Sequence, residues 1–473
     1  MNDVASALGR LGALAASPPI ARLATAFSAA GHELALVGGP VRDAFLGRPV
    51  SDLDFTTDAS PDQILALVKP ISDATWDIGR EFGTIGARVL GEKVEITTYR
   101  ADSYDGETRK PTVEFGDTLE GDLIRRDFTV NAMALRLPQQ VLVDPSGGMD
   151  DLLAERLTTP GLASVSFGDD PLRMLRGARF TSQLGFTVDE PTKLAMIELA
   201  DRISIISVER IADELSKLLL TDNPRAGLQL LVDTGLAELV LPELPALKLE
   251  IDEHAHHKDV YEHSLTVLEQ AIGYEKSRGH SPDLILRIAA LLHDIGKPAT
   301  KRVEPGGAVS FYHHDVVGAK LAARRLKQLH FDKETIASVA RLTELHLRFF
   351  GYTEAAWTDS AVRRYVRDAG PLLERLHILT RADVTTRNRR KADRLSFAYD
   401  DLEQRIAELA EAEGVAALRP DLDGEEIMRI LELSPGREVG EAYRFLMELR
   451  LEEGPLGAEE AEARLRAWWA SRP

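Results

Sequence analysis

The chain of 473 residues contains no cysteine. That excludes disulfides and any zinc site built on thiolates. No apolar run reaches membrane length, and the first residues lack the basic stretch plus apolar core of an export signal, so a cytoplasmic protein is expected. Positive charge is in short supply: 57 Lys and Arg stand against 76 Asp and Glu, a formal net charge of −19. Such a chain does not grip nucleic acid indiscriminately through a basic surface, and any nucleic-acid partner must be held by local patches. Neither G-x-x-x-x-G-K-[ST] nor G-x-G-x-x-G occurs, and there is no fixed-period repeat or low-complexity tract.

What is present is a globular composition, with 44% hydrophobic residues and length for about three domains. Residues 1–30 read as one amphipathic helix rich in Ala and Leu. From 33 to about 145 short β-type runs alternate with Gly and Asp turns ("ELALVGG", "DLDFTT", "GTIGARVL", "KVEITTYR", "VLVDPSGG"). From "DDPLRMLRGARF" onward the pattern is helical. The breakers in "LPELPALKLEIDEH" (241–254) mark an expected boundary, followed by a histidine-rich helical block to about 395 and a charged helical tail.

In "LALVGGPVRDAFLGRPVSDLDF" (34–55) an apolar strand runs into Gly38-Gly39, and Pro40 suits a first helical turn. Glycines at a strand end let backbone N–H groups approach a ligand, and the helix N-terminus beyond them favours an anion, with Arg42 adding charge. In "SDLDF", strand alternation sends Asp52 and Asp54 to one face. Two parallel carboxylates repel unless a cation sits between them, and oxygen ligands with room for water and phosphate suit Mg²⁺.

These segments resemble the tRNA nucleotidyltransferase and poly(A) polymerase family, in its class II form. "GGPVRDAFLGRPVSDLDF" is similar to the first family motif, which implies Gly38, Gly39, Arg42 and Asp43 at the nucleotide and Asp52 and Asp54 as metal ligands. "RRDFTVNAMA" (125–134) resembles the second, implying Arg126, Asp127 and Asn131 around the sugar and phosphates. "DPSGGMDDL" (144–152) resembles the hinge. "DDPLRMLRGARF" (169–180) resembles the base-selecting motif, with Asp170, Arg173, Arg176 and Arg179. "SVERIADELSKLL" (207–219) resembles the helix that buttresses it. Where the family usually has Glu-Asp, this chain has Asp169-Asp170.

The resemblance implies attack of an RNA 3′-hydroxyl on a nucleotide α-phosphate with two Mg²⁺ ions, and Glu95 as the candidate third carboxylate. Asp170 and Arg173, three apart on an expected helix, would share a face. Ionised Asp only accepts and Arg only donates, which suits the amino group and ring nitrogen of C and A. U and G would set a keto oxygen against the carboxylate, at about 1–3 kcal/mol per unpaired group. "GREFGTIGARV" (79–89) and an intact "ADSYDGETRKPTVEFG" (101–116) resemble the CCA-adding form. The alternatives are a poly(A) polymerase, or an HD phosphohydrolase with an RNA-binding head.

A second ordered set, His263, His293-Asp294, His314, His346 and Asp383, resembles the HD phosphohydrolase superfamily. It implies a divalent transition metal or Mg²⁺, with room for two metals, and phosphatase or 2′,3′-cyclic phosphodiesterase activity. "TRADVTTRNRRKADR" (380–394) is a basic run including Arg381, and Arg387, Arg389, Arg390 and Lys391 in it, with Arg437 in "LSPGREVG", are candidate RNA contacts. The expected fold is α+β. A polymerase-beta-like head (1–150) with a mixed sheet precedes a helical neck (151–245), an HD domain (246–395) and a helical tail (396–473). Expected partners are tRNA, ATP and CTP, with no membrane and no DNA.

Overall fold

The computed structural model describes residues 4–472 apart from 51, 78, 101–115, 117, 249–258, 308, 355–356, 386–387 and 414–418. The chain forms two compact units, Met1–Pro242 and Glu243–Pro473.

The first unit opens with two helices, α1 (Val4–Ala15) and α2 (Pro18–Ala29), where one was expected. The break falls at Ser17-Pro18-Pro19, because proline is accepted in a first turn but not in a helix interior. A seven-stranded sheet follows, in the order β3-β4-β5-β2-β1-β6-β7. Its strands are β1 (Leu34–Val37), β2 (Leu53–Thr57), β3 (Ala74–Trp76), β4 (Thr84–Val89), β5 (Glu92–Thr98), β6 (Ala134–Leu137) and β7 (Val141–Val143). Only β2 and β5 run parallel, so the sheet is mixed. Alternation sorts its faces: Leu53, Phe55, Val94 and Ile96 are buried in the core with Ile20, Leu23 and Phe27 of α2, while Asp54 and Glu95 point to the other face, paired across β2 and β5.

Helices α3 (Gly39–Leu46), α4 (Pro61–Val68), α5 (Leu119–Ile124) and α6 (Gly148–Leu153) complete the head. Beyond it the unit is nearly all helix: α7 (Ala163–Asp169), α8 (Leu172–Leu184), α9 (Glu190–Leu199), α10 (Val208–Leu219), α11 (Pro224–Asp233) and α12 (Leu236–Val240). Phe128 and Phe180 pack edge to face, with centroids 5.9 Å apart. That contact fixes α8 against the segment leading into β6.

The second unit is helical. It contains α13 (Val260–Ser277), α14 (Leu284–Leu292), α15 (Lys297–Thr300), α16 (His314–Gln328), α17 (Lys333–Leu345), α18 (Phe350–Glu354), α19 (Asp359–Ala369) and α20 (Leu373–Ala382). The long α21 (Arg389–Glu413) leads to α22 (Gly424–Leu431), α23 (Arg437–Glu453) and α24 (Ala458–Ala470). These last three share their own core of Ile427, Ile430, Ala442, Leu446 and Leu465. Among the described residues, no helix is long and apolar enough to cross a membrane.

Candidate active site and metal centre

In the head, β1 delivers the chain to Gly38, whose φ of +74° is left-handed and open to glycine at little cost. A Cβ there would stand 3.3 Å from Arg126 Nη1. The turn therefore places the α3 N-terminus and a guanidinium side by side, an arrangement suited to phosphate. Arg42 is buried. Its Nε and Nη2 donate to Asp43 at 2.9 Å each, and Nη1 donates to Asn131 Oδ1 at 2.6 Å.

Every residue expected to touch the nucleotide lines one cleft of about 650 Å³, together with Asp52 and Asp54. Nine Arg and Lys line it against five Asp. The cleft is thus locally basic in an acidic chain, as a polyanion requires. Asp127 is buried and anchors its middle. Arg176 donates to Asp127 Oδ2 from Nε at 2.7 Å, with Nη2 at 2.6 Å, and Asn131 donates to Oδ1 at 3.1 Å. Burial raises its pKa, but the charge of Arg176 and these hydrogen bonds outweigh that and hold the carboxyl well below its ordinary range. Arg176 and Arg179 both pair with Glu214 of α10. Arg42, Arg176 and Arg179 all lie against the Phe180 ring, at 5.4, 5.5 and 4.2 Å from its centroid.

Asp52 immediately precedes β2, and Asp54 sits within it. Burial first, then the charges of Glu95 and Asp52, push the Asp54 carboxyl up to about 6, against opposing Arg126 and Lys93. Carboxylates crowded in this way fit a divalent cation, which would relieve their repulsion. Glu95 makes an ion pair with Lys93 at 2.8 Å and is not part of the cleft wall.

Asp170 departs from the expected helix. It sits in extended conformation (φ −135°, ψ 95°) between α7 and α8. Pro171 fits the start of a helix but forces its predecessor out of helical geometry. Asp170 Oδ1 accepts from Leu172 N at 3.1 Å, capping α8, and Oδ2 accepts from Arg210 at 3.1 Å. Arg173 bonds Ser166 Oγ at 2.8 Å and the carbonyl of Arg125. Arg100, Arg125, Arg210 and Lys217 of the wall were missed by the sequence reading. For Arg210 and Lys217 the helical spacing from Glu214 was the available signal.

In the second unit, residues distant in sequence meet. His263 Nε2 lies 2.9 Å from Asp383 Oδ1 and 3.3 Å from His293 Nε2; His314 Nε2 and His346 Nε2 lie 3.2 and 3.9 Å from Asp294 Oδ1. The ligand atoms form two groups, His263–His293–Asp383 and Asp294–His314–His346, each within 4.8 Å. Nδ1 of His293, His314 and His346 faces the carbonyls of Ala290, Phe311 and Thr343 at 2.9, 2.8 and 2.6 Å. That leaves Nε2 of each ring for the centre, as metal-binding imidazoles require. The Nε2 atoms of His314 and His346 are buried without a hydrogen-bond partner, so the set fits a metal centre. Gly296 permits the close approach: a Cβ there would meet the His314 carbonyl at 2.0 Å. Burial opposes charge on His293, but Asp294 and Asp383 raise its pKa to about 10. His346 is driven down to about 4 by burial and by the charge of His293.

Of the candidate RNA contacts, Arg387 lies outside the described residues. Arg389, Arg390 and Lys391 are exposed at the start of α21, and Arg437 at the start of α23. Arg381 is instead inside, bonded to Glu403 and Asp400.

A mixed sheet with paired acids beside a glycine turn, followed by helices and an HD centre, defines a nucleotidyltransferase head joined to an HD domain. Three family descriptions match: "Poly A polymerase head domain" over 34–158, "Probable RNA and SrmB- binding site of polymerase A" over 185–247, and "HD domain" over 260–388. An A-adding tRNA nucleotidyltransferase of Deinococcus radiodurans is 35% identical over 450 residues, covering 93% of this chain and 96% of the relative. A CCA-adding enzyme of Bacillus subtilis is 42% identical over 217 residues, 46% of this chain and 52% of the relative. The CCA-adding enzyme of Bacillus stearothermophilus in complex with CTP superposes with a TM-score of 0.70 at 24% identity, covering 96% of this chain and 99% of that one. The chain belongs to the tRNA nucleotidyltransferase and poly(A) polymerase family. Nucleotidyltransferase and HD domains generally use divalent metals.

The carboxyl of Asp54 at about 6 gives a signed pH dependence. Its protonated form accumulates as pH falls through that value, and a proton there competes with a cation. Mn²⁺ binding at the head is expected to hold steady above pH 7 and to weaken about tenfold per unit well below pH 6. Calorimetric titrations of wild type and Asp54→Asn, compared from pH 5 to 8, isolate this site. A pH-independent difference contradicts the assignment.

Proposed function

We propose that the chain adds CCA to the 3′ end of tRNA from CTP and ATP without a nucleic-acid template, in the cytoplasm. The observation that carries this reading is one arginine-lined cleft where Asp52, Asp54, the glycine turn and the base-selecting residues meet. The family relatives support it, half of one being matched by this chain in the CCA-adding enzyme of Bacillus subtilis. In the reaction, an RNA 3′-oxygen bonds to the α-phosphorus and the bond to pyrophosphate breaks. The α3 N-terminus, Arg42 and Arg126 bind the phosphates; Asp127 and Asn131 orient the sugar. Asp52 and Asp54, with Glu95 beside them, would hold Mg²⁺, which when bound supplies charge to the hydroxyl and the leaving oxygens. Arg387, Arg389, Arg390, Lys391 and Arg437 hold the body of the tRNA.

A second reading, addition of the terminal A alone, is favoured by the end-to-end likeness to the A-adding relative. The test offers tRNA lacking its 3′ end, and tRNA ending in CC, with each labelled nucleotide separately and together. Three added nucleotides on the first substrate support CCA synthesis. One A, only on the second, supports the alternative. Asp52→Asn or Asp54→Asn is expected to abolish addition on both while leaving the thermal unfolding midpoint largely unchanged. Retained addition in the double variant defeats the head assignment.

Asp170 reads the base in this account. Its acceptor oxygens match the amino group of C or A, and Arg173 donates to the ring nitrogen. Asp170→Asn exchanges one acceptor for a donor that can face a keto oxygen, while the other oxygen can still cap α8. The ratio of kcat/KM for U over C, and for G over A, is expected to rise about tenfold even as total activity falls. Unchanged ratios make Asp170 structural.

The HD centre acts separately, as a metal-dependent phosphatase or 2′,3′-cyclic phosphodiesterase held by His263, His293, Asp294, His314, His346 and Asp383. His293→Ala is expected to remove hydrolysis of a 2′,3′-cyclic phosphate while sparing nucleotide addition. Loss of both in a folded variant shows that the activities are not separable.

A further inference from the structure

Arg125 and Arg126 enter the cleft wall from the C-terminal end of α5, a helix of only six residues. Two adjacent arginines on so short an element have many rotamers, and an ungoverned guanidinium would serve a triphosphate poorly. Both are governed by one buried acid. Asp122 lies three and four residues earlier, so a helical turn sets all three side chains on one side. Its Oδ1 accepts from Arg125 Nη2 at 2.8 Å and Nε at 3.2 Å, and its Oδ2 accepts from Arg126 Nη2 at 3.1 Å.

The same carboxylate reaches the sheet. Oδ1 also accepts from the backbone N of Arg100, just past β5, at 3.2 Å, and Oδ2 from Thr56 Oγ1 at 3.3 Å. Thr56 is two residues beyond Asp54 on the same face of β2. The acid thus ties the two cationic side chains to the strands that carry the head carboxylates. Asp122 itself does not line the cleft. Arg126 Nε remains buried without a hydrogen-bond partner, while Nη1 stands beside Gly38 at the α3 N-terminus.

We propose that Asp122 is a positioning residue for nucleotide binding: it holds Arg125 and Arg126 in the orientation that meets the triphosphate. This rests on the nucleotidyltransferase reading above. The carboxylate acts on the part common to all nucleotides, so its removal lowers affinity without altering base choice. That separates it from Asp170.

The test measures dissociation constants for CTP and ATP by calorimetry with Ca²⁺ present, and KM and kcat with tRNA, for Asp122→Asn, Arg125→Ala/Arg126→Ala and the triple variant. Asp122→Asn keeps the size but loses the charge. It is expected to raise both dissociation constants and both KM values about tenfold, the loss of charge-assisted hydrogen bonding. kcat should fall less, and the U-to-C and G-to-A ratios should stay at wild type. Because Asp122 acts through both arginines, the triple variant should bind little worse than Arg125→Ala/Arg126→Ala. Wild-type affinity in a folded Asp122→Asn, or fully additive losses, overturns the proposal. If Asp122→Asn fails to fold, Asp122→Glu keeps the charge and shifts the carboxylate by one methylene; weakened binding is again expected, and wild-type binding overturns the proposal. A wild-type chain that binds neither nucleotide would instead defeat the nucleotidyltransferase reading.

Discussion

The head is organised around the pairing of Asp127 with Arg176. Asp127 comes from the turn before β6 and Arg176 from the middle of α8, so their contact at 2.6 Å joins the sheet to that helix. Around it the contacts branch. Asn131 donates to Asp127 and accepts from Arg42 of α3. Arg176 and Arg179 continue to Glu214 of α10. Removing one partner of a buried pair costs about 3–5 kcal/mol, and less where one partner stays open to water; the Arg176 side chain is 35% exposed. The pair therefore matters for orientation more than for net stability. It sets the α3 side of the cleft at a fixed distance from the α8 side.

Charge explains why the cleft must be built this way. A chain at −19 repels RNA and nucleotide alike unless basic groups are concentrated, and concentrating them creates mutual repulsion. The structure meets both demands with acids and an aromatic ring. Asp43, Asp122, Asp127, Asp170 and Glu214 each engage one or more arginines, and Phe180 lies under three guanidinium groups. Arginine suits this role because its planar fork can satisfy one partner while leaving further N–H donors for another.

The elements legible in the sequence were those that depend on local pattern. The strands around Gly38-Gly39 and "SDLDF" and the alternation that sorts Asp54 from Phe55 follow from short-range rules, while the HD residues were legible only through their resemblance to a known family. What escaped depends on partners far along the chain. Arg381 belongs to a basic run by composition, yet Glu403 and Asp400 draw it inside. Arg210 looks like an exposed helical cation until Asp170, forty residues earlier, meets it. The single helix read over 1–30 failed for a local reason, since Pro18-Pro19 was given too little weight against Ala and Leu periodicity.

The two sites of the chain handle ionisable groups in opposite ways. In the head, Asp54 sits beside Glu95 and Asp52 with its carboxyl raised to about 6, a crowd of like charges with arginines close by. In the HD centre the carboxylates are held low instead, Asp294 and Asp383 both lying against protonatable imidazoles. The backbone carbonyls of Ala290, Phe311 and Thr343 fix three of those rings before any ligand arrives. A preset imidazole cage suits a resident ion, because little ordering remains when the ion binds. An open pair of carboxylates suits ions that enter with a triphosphate, since the phosphates complete the coordination. The residue types and their anchoring therefore differ between the two centres: backbone carbonyls fix the imidazoles in one, and the carboxylates of the other face an open cleft.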